Sequence, residues 1–139
     1  MSRWLRSTIV VWWCPTLQVH APLINAHLKS LIGDSFSAKN FRTWNGTLLA
    51  AVALGRCEKD CGSERARRKA IRQATTDVSQ VLGNTPAVAR GSYIDPRVFD
   101  RFLSGWTIAG ELRRIEDRGL PPEERRAAVE LAVLDLLTG

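Results

Sequence analysis

The chain has 139 residues and a mass of 15.5 kDa, the size of one ordinary domain, with 45% hydrophobic and 24% charged residues. Twenty Lys and Arg against 14 Asp and Glu give a net charge of +6 and a pI near 9.9. That is a foldable, soluble, basic composition: too apolar for disorder, without the roughly 20-residue apolar run of a membrane span, and with too few cysteines, three, for a disulfide scaffold.

The charge is uneven. Residues 1–101 hold 15 basic and 7 acidic side chains, residues 102–139 hold 5 and 7, so the positive field belongs to the first two thirds and a polyanion is its natural partner. Most of the cations are Arg, whose planar fork suits phosphate.

At the N-terminus, Arg3 and Arg6 precede the apolar run Ile9, Val10, Val11, Trp12, Trp13. Pro15 breaks the run and no convincing cleavage site follows, so residues 1–18 read as an unprocessed leader of an intracellular protein; the run also suits a strand. From Val19 the pattern turns helical. Leu23, Ile24, His27, Leu28, Leu31 and Ile32 recur at spacings of three and four, and Gly33 supplies a stop. Phe36 and Ser37 then read as N′ and N-cap of a second helix, with Phe41, Trp44, Leu48 and Val52 on one face and an end near Gly55.

Arg56 to Ser63 reads as a loop carrying Cys57 and Cys61. A zinc site needs four ligands, and the remaining candidates, Cys14, His20 and His27, are remote in sequence. No metal is expected, and the thiols are expected to be reduced.

A third helix is predicted over Glu64 to Leu82, with Ala66, Ala70, Ile71, Ala74, Val78, Val81 and Leu82 buried. Arg65, Arg67, Arg68, Lys69 and Arg72 are assigned to the opposite surface, which is either a solvated face or a phosphate-contacting one. Gly83 ends that helix, and Asn84, Thr85 and Pro86 open a short one ending at Tyr93. Asp95 and Pro96 open a helix over Arg97 to Leu103 that closes at Gly105. Thr107 to Ile115 and Glu123 to Leu137 make two more, the last packing through Val129, Ala132, Val133, Leu136 and Leu137. The expected architecture is one mostly α-helical domain over residues 19–139.

The sequence has no P-loop, no dinucleotide-binding glycine fingerprint, no HExxH and no serine-hydrolase elbow. What it does have is a single tyrosine, Tyr93, near Arg90 and Arg97 in the chain, with Arg42 on an earlier helix. A tyrosine attacking a phosphodiester needs donors for the two nonbridging oxygens and a proton acceptor, because a phenol ordinarily titrates near pH 10. Arginines and an amide such as Asn84 meet the first need; the plainer reading of Tyr93 is a packing aromatic.

The segment Gly83-Asn84-Thr85-Pro86-Ala87-Val88-Ala89-Arg90-Gly91-Ser92-Tyr93-Ile94-Asp95-Pro96-Arg97-Val98 resembles the active-site tyrosine motif of type IB DNA topoisomerases of the bacterial, poxvirus-like group. Phe36-Ser37-Ala38-Lys39-Asn40-Phe41-Arg42-Thr43-Trp44 is similar to the family's helix bearing a catalytic arginine, in the family's order and about fifty residues upstream. The resemblance runs from about His20 to the C-terminus. It implies a helical catalytic domain of the type IB topoisomerase and tyrosine recombinase kind. It also implies Tyr93 as the nucleophile that holds a DNA 3′ end, Arg42 as a ligand of a nonbridging oxygen, and Asn84 where many relatives have His. Lys39, Arg65, Arg68, Lys69, Arg72, Arg90 and Arg97 are the expected DNA contacts.

The implied partner is double-stranded DNA, bound by a monomer in the cytoplasm at the nucleoid, with no membrane, metal, nucleotide or other cofactor. Family members also have a further catalytic arginine, a hairpin lysine that protonates the leaving 5′ oxygen, and a DNA-clamping domain, all upstream of the arginine helix. No motif here matches them. The expectation is therefore a catalytic portion truncated on its N-terminal side, slow or inactive alone. Two rivals are a tyrosine recombinase, whose usual His shortly before an Arg is missing, and an inactive DNA-binding remnant.

Overall fold

The structure, a computed structural model, describes residues 26, 29–31, 33–35, 37–57 and 61–139. The leader, Phe36 and most of the first predicted helix lie outside these. Ala26 and residues 29–31 are helical, and Gly33, at φ +95°, donates its N–H to the Lys29 carbonyl as a stop. Leu31, one of the residues of the helical spacing, is 66% exposed.

Ser37 opens helix α1 (Ala38–Arg56), its backbone N–H and hydroxyl both donating to Asn40 Oδ1 at 2.9 and 2.7 Å. The sequence placed Phe41, Trp44, Leu48 and Val52 on the buried face. Phe41 is 43% exposed and the other three are half-buried; the deepest residues are Gly46, Thr47, Ala50, Ala51, Leu54 and Gly55. The reason is crowding. Helix α1 packs against α2, the π-turn and the three later helices, so its axis must approach several neighbours closely, and small side chains permit that where a bulky stripe would not.

Helix α2 (Glu64–Leu82) has the predicted bounds. Ser63 Oγ accepts the Ala66 N–H, and Gly83, at φ +71°, closes the far end, with the Asn84 N–H returning to the Ser79 carbonyl at 2.9 Å. Ala70, Ile71, Ala74, Val78 and Leu82 are buried; Ala66 and Val81 are half-buried. Arg67 does not belong to the exposed basic surface. At 100° per residue it points away from Arg65 and Arg68, and its guanidinium donates to the carbonyls of Cys61 and Leu103, both at 3.2 Å, tying the loop before α2 to a later helix.

Thr85 caps a single turn, α3 (Pro86–Val88), which widens into a π-turn over Ala89–Tyr93. The sequence located a turn-rich helix here and missed its π form, since nothing in residue spacing distinguishes a five-residue π ring from an α turn. Ile94 is extended and 3% exposed, and Asp95 caps α4 (Pro96–Leu103) by accepting the Arg97 N–H at 2.9 Å. Helix α5 (Ala109–Asp117) begins two residues later than expected, because the Thr107 hydroxyl accepts the Ala109 N–H and keeps Thr107 outside the helix. Helix α6 (Pro122–Thr138) buries Ala132, Val133 and Leu137, as its pattern foretold. All described elements are helical, with no strand among the described residues.

Candidate active site

The C-terminal end of α2, the first half of α1 and the π-turn meet at one place. Arg42, on α1, donates from Nη2 to the carbonyl of Leu82, the last residue of α2, at 2.7 Å. Asn84 follows two residues later. The ring of Tyr93 lies over the same guanidinium, 4.6 Å from its carbon to the ring centroid. Arg42 and Tyr93, 51 residues apart in sequence, are thus in contact near the end of α2, and Asn84 lies just past that end.

Two N–H donors at this place, Arg42 Nε and Asn84 Nδ2, are buried and make no hydrogen bond within the protein. Buried donors are nearly always satisfied, since an unmet one costs about 1–3 kcal/mol. Arg42 Nε, on the guanidinium beneath the Tyr93 ring, and Asn84 Nδ2, two residues beyond Leu82, are thus donors open to an acceptor from outside the protein. The neighbouring α2 terminus brings no anion-attracting N–H groups, being the negative end of its helix; attraction here rests on side chains.

The expected DNA contacts divide. Arg65, Lys69 and Arg72 are exposed on the first half of α2 and make no ion pair among the described residues, and Arg68 beside them is paired to Glu64. That surface lies some 15 Å or more along the helix from Leu82, at 1.5 Å per residue, so the structure does not bring it into the Tyr93 cluster. Arg90 stacks over Phe99, 5.1 Å from its centroid. Lys39 and Arg97 line the same cavity of about 510 Å³, with Asn40, Thr43, Trp44, Thr47 and the end of α6. Arg97 is not an idle cation: its Nε and Nη2 chelate the Asp95 carboxylate at 3.1 and 2.7 Å. The Arg97 side-chain hydrogen bond holds the Asp95 carboxyl below its usual range, and Asp95 raises Arg97 in return.

The sequence reading missed three residues that shape the site. Gly46 lies directly under the π-turn, where a Cβ would overlap the Tyr93 carbonyl oxygen and sit 3.1 Å from its carbonyl carbon. The Thr47 hydroxyl accepts the Asp95 N–H at 3.0 Å, and the Thr43 hydroxyl lies 3.3 Å from the Ser92 carbonyl. The legible signal was a glycine inside an otherwise helical run, which marks a close approach of another backbone. Cys57 and Cys61 are half-buried against the core, and no cluster of three or more potential metal ligands occurs among the described residues. No helix is long and apolar enough to cross a membrane, of the residues described.

Comparison with known families gives a match to the model described as eukaryotic DNA topoisomerase I, catalytic core, over residues 17–110, a span that contains Arg42, Asn84 and Tyr93. No curated protein matches the chain.

Proposed function

Since the chain belongs to the DNA topoisomerase I catalytic-core family, the type IB enzymes, we propose that it cleaves and rejoins one strand of duplex DNA through Tyr93, and so relaxes supercoils. The observation that supports this reading best is the contact of Tyr93, the only phenol of the chain, with the Arg42 guanidinium, whose Nε is buried and makes no hydrogen bond within the protein.

In the proposed reaction the Tyr93 oxygen attacks the scissile phosphorus. A phosphorus–tyrosine bond forms, the bond to the 5′ oxygen breaks, the phenol gives up its proton and the departing 5′ oxygen takes one up. Charge grows on the nonbridging oxygens in the five-coordinate transition state, and Arg42 and Asn84 are the donors this reading assigns to offset it. Asn84 donates through its amide and carries no acid or base function. The Tyr93 ring rests on the same guanidinium in a cation–π contact of about 0.5–2 kcal/mol that keeps nucleophile and donor together, and a phosphate oxygen at Nε would add a charge-assisted hydrogen bond of about 1.5–3 kcal/mol. Rotation about the uncut strand relaxes the duplex. The 5′ hydroxyl then attacks the phosphotyrosine, so the energy of the broken bond stays in the protein–DNA link, and the reading calls for no ATP or metal. Arg65, Lys69, Arg72, Arg68, Arg90, Lys39 and Arg97 supply the surrounding duplex contacts in this reading.

The test is a suicide duplex and a negatively supercoiled plasmid, without ATP or magnesium, beside Tyr93→Phe. A denaturation-resistant protein–DNA adduct that vanishes in the variant supports the reading. An adduct that persists in Tyr93→Phe refutes it, and retained binding with no adduct replaces it with a DNA-binding remnant.

A further inference from the structure

Catalysis by a tyrosine requires that the turn bearing it be held in register with the arginine, and the groups that do so here come from the helix that carries Arg42. Along α1, Gly46 meets the Tyr93 carbonyl and Thr47 meets the Asp95 N–H, while the Thr43 hydroxyl, which donates to the Lys39 carbonyl at 2.9 Å, lies 3.3 Å from the Ser92 carbonyl. Thr47 is 2% exposed. Its hydroxyl also donates to the Thr43 carbonyl at 2.8 Å.

A buried helical threonine commonly turns its hydroxyl back onto the carbonyl four residues earlier, as Thr75 does onto Ile71 at 2.8 Å, and such a bond says nothing of function. Thr47 differs from Thr75 in accepting as well, from a backbone N–H 48 residues away. That N–H belongs to the residue that both follows the Tyr93 turn and caps α4. One hydroxyl therefore joins the backbone of the Arg42 helix to the exit of the Tyr93 turn, with only Ile94 between its anchor and the phenol-bearing residue.

We propose that Thr47 is a positioning residue for Tyr93, fixing the turn so that the phenol lies against Arg42. The part concerning reaction rate rests on Tyr93 being the nucleophile; the part concerning geometry does not.

The single tyrosine makes the test direct. Full-length protein carrying 3-fluorotyrosine gives one ¹⁹F resonance from Tyr93. Thr47→Val removes the hydroxyl at nearly constant shape, Thr47→Ser keeps it, and Thr75→Val removes a back-bonding hydroxyl that has no second partner. Thr47→Val is expected to shift or split the resonance and to slow single-turnover adduct formation about 10- to 100-fold at saturating DNA, with duplex affinity unchanged. Thr47→Ser is expected to restore both. An unshifted resonance in Thr47→Val, or an equal shift in Thr75→Val, overturns the proposal. Should Thr47→Val not fold, hydrogen exchange in the unaltered protein decides: the Asp95 amide is expected to be protected, and a fast-exchanging one overturns the proposal. If the unaltered protein forms no adduct, the nucleophile reading fails while the resonance still decides the positioning role.

Discussion

Gly46→Val is the perturbation that probes most sharply how α1 and the tyrosine turn fit together. A Cβ at Gly46 would overlap the Tyr93 carbonyl oxygen, approach its carbonyl carbon to 3.1 Å and touch Leu82 Cδ1 at 3.4 Å. Ordinary carbon–oxygen contacts are about 3.3–3.6 Å, so α1 and the turn must separate by something on the order of 1 Å, with valine's two methyls adding to the pressure. Overpacking of this kind costs about 1–3 kcal/mol, offset by about 0.4 kcal/mol because valine is the better helix former. At about 2–4 °C per kcal/mol for a chain of this size, the melting temperature should fall by several degrees. Arg42 lies one turn before Gly46 on the same helix, so the displacement also opens the contact between guanidinium and ring, and a 1 Å error near a reacting group costs about 100-fold in rate. The assay is thermal unfolding by circular dichroism beside adduct formation on a suicide duplex. Gly110→Val, at a helical glycine with nothing within 4 Å of its would-be Cβ, is the control. Equal melting temperatures for the two variants, with equal adduct rates, would refute the reasoning.

Three further outcomes are expected. Asp95, held below its usual range chiefly by the side-chain hydrogen bond from Arg97, adds stability that is complete above its unfolded pKa of about 3.9 and is lost as pH falls through its lower folded value. The gap in urea midpoint between unaltered protein and Asp95→Asn should therefore be small, because Arg97 is largely exposed, and should close below about pH 4; a gap that widens on acidification contradicts it. Replacing Arg65, Lys69 and Arg72 together by Gln should flatten the plot of log duplex affinity against log salt by up to about 2.7, if each meets one phosphate, and an unchanged slope removes this face from the interface. Gly83→Ala, at φ +71°, should cost about 1–2 kcal/mol in urea unfolding, whereas Gly62→Ala, with open space around it and no positive φ, should not.

Helix boundaries, the start of α5 excepted, were legible because their punctuation is local. Ser63, Gly83, Thr85 and Asp95 act where they stand, and each performs the capping role its type suggests. Which face of α1 is buried was not legible, because that depends on how many neighbours converge on it. The apolar count favoured Phe41 and Trp44, while the packing favoured Gly46, Ala50 and Leu54. Arg67 was misread for a related reason: a run of cations suggests one basic face, yet successive residues on a helix diverge by 100°. At the site, the motif supplied Arg42, Asn84 and Tyr93 by type and order, and the structure brings Arg42 and Tyr93 into contact beside the helix end that Asn84 follows. Thr47 carries no such label. A threonine in a helix is commonplace, and its second partner comes from 48 residues away.

The bond from Arg42 to the Leu82 carbonyl places a cation on the negative pole of α2, where it steadies the last turn of that helix. The Leu82 bond occupies Nη2 alone and leaves Nε of the same guanidinium without a partner in the protein. A phosphate oxygen on Nε can therefore be held while Nη2 keeps its grip on the helix, so substrate and helix end share one cation from two sides. Ligands generally slow amide exchange across a protein they stabilise. The last turn of α2, sealed also by Gly83 and Asn84 folding back onto Ser79, should follow that trend, and slower exchange there with DNA present reports from inside the fold that the arginine serves both.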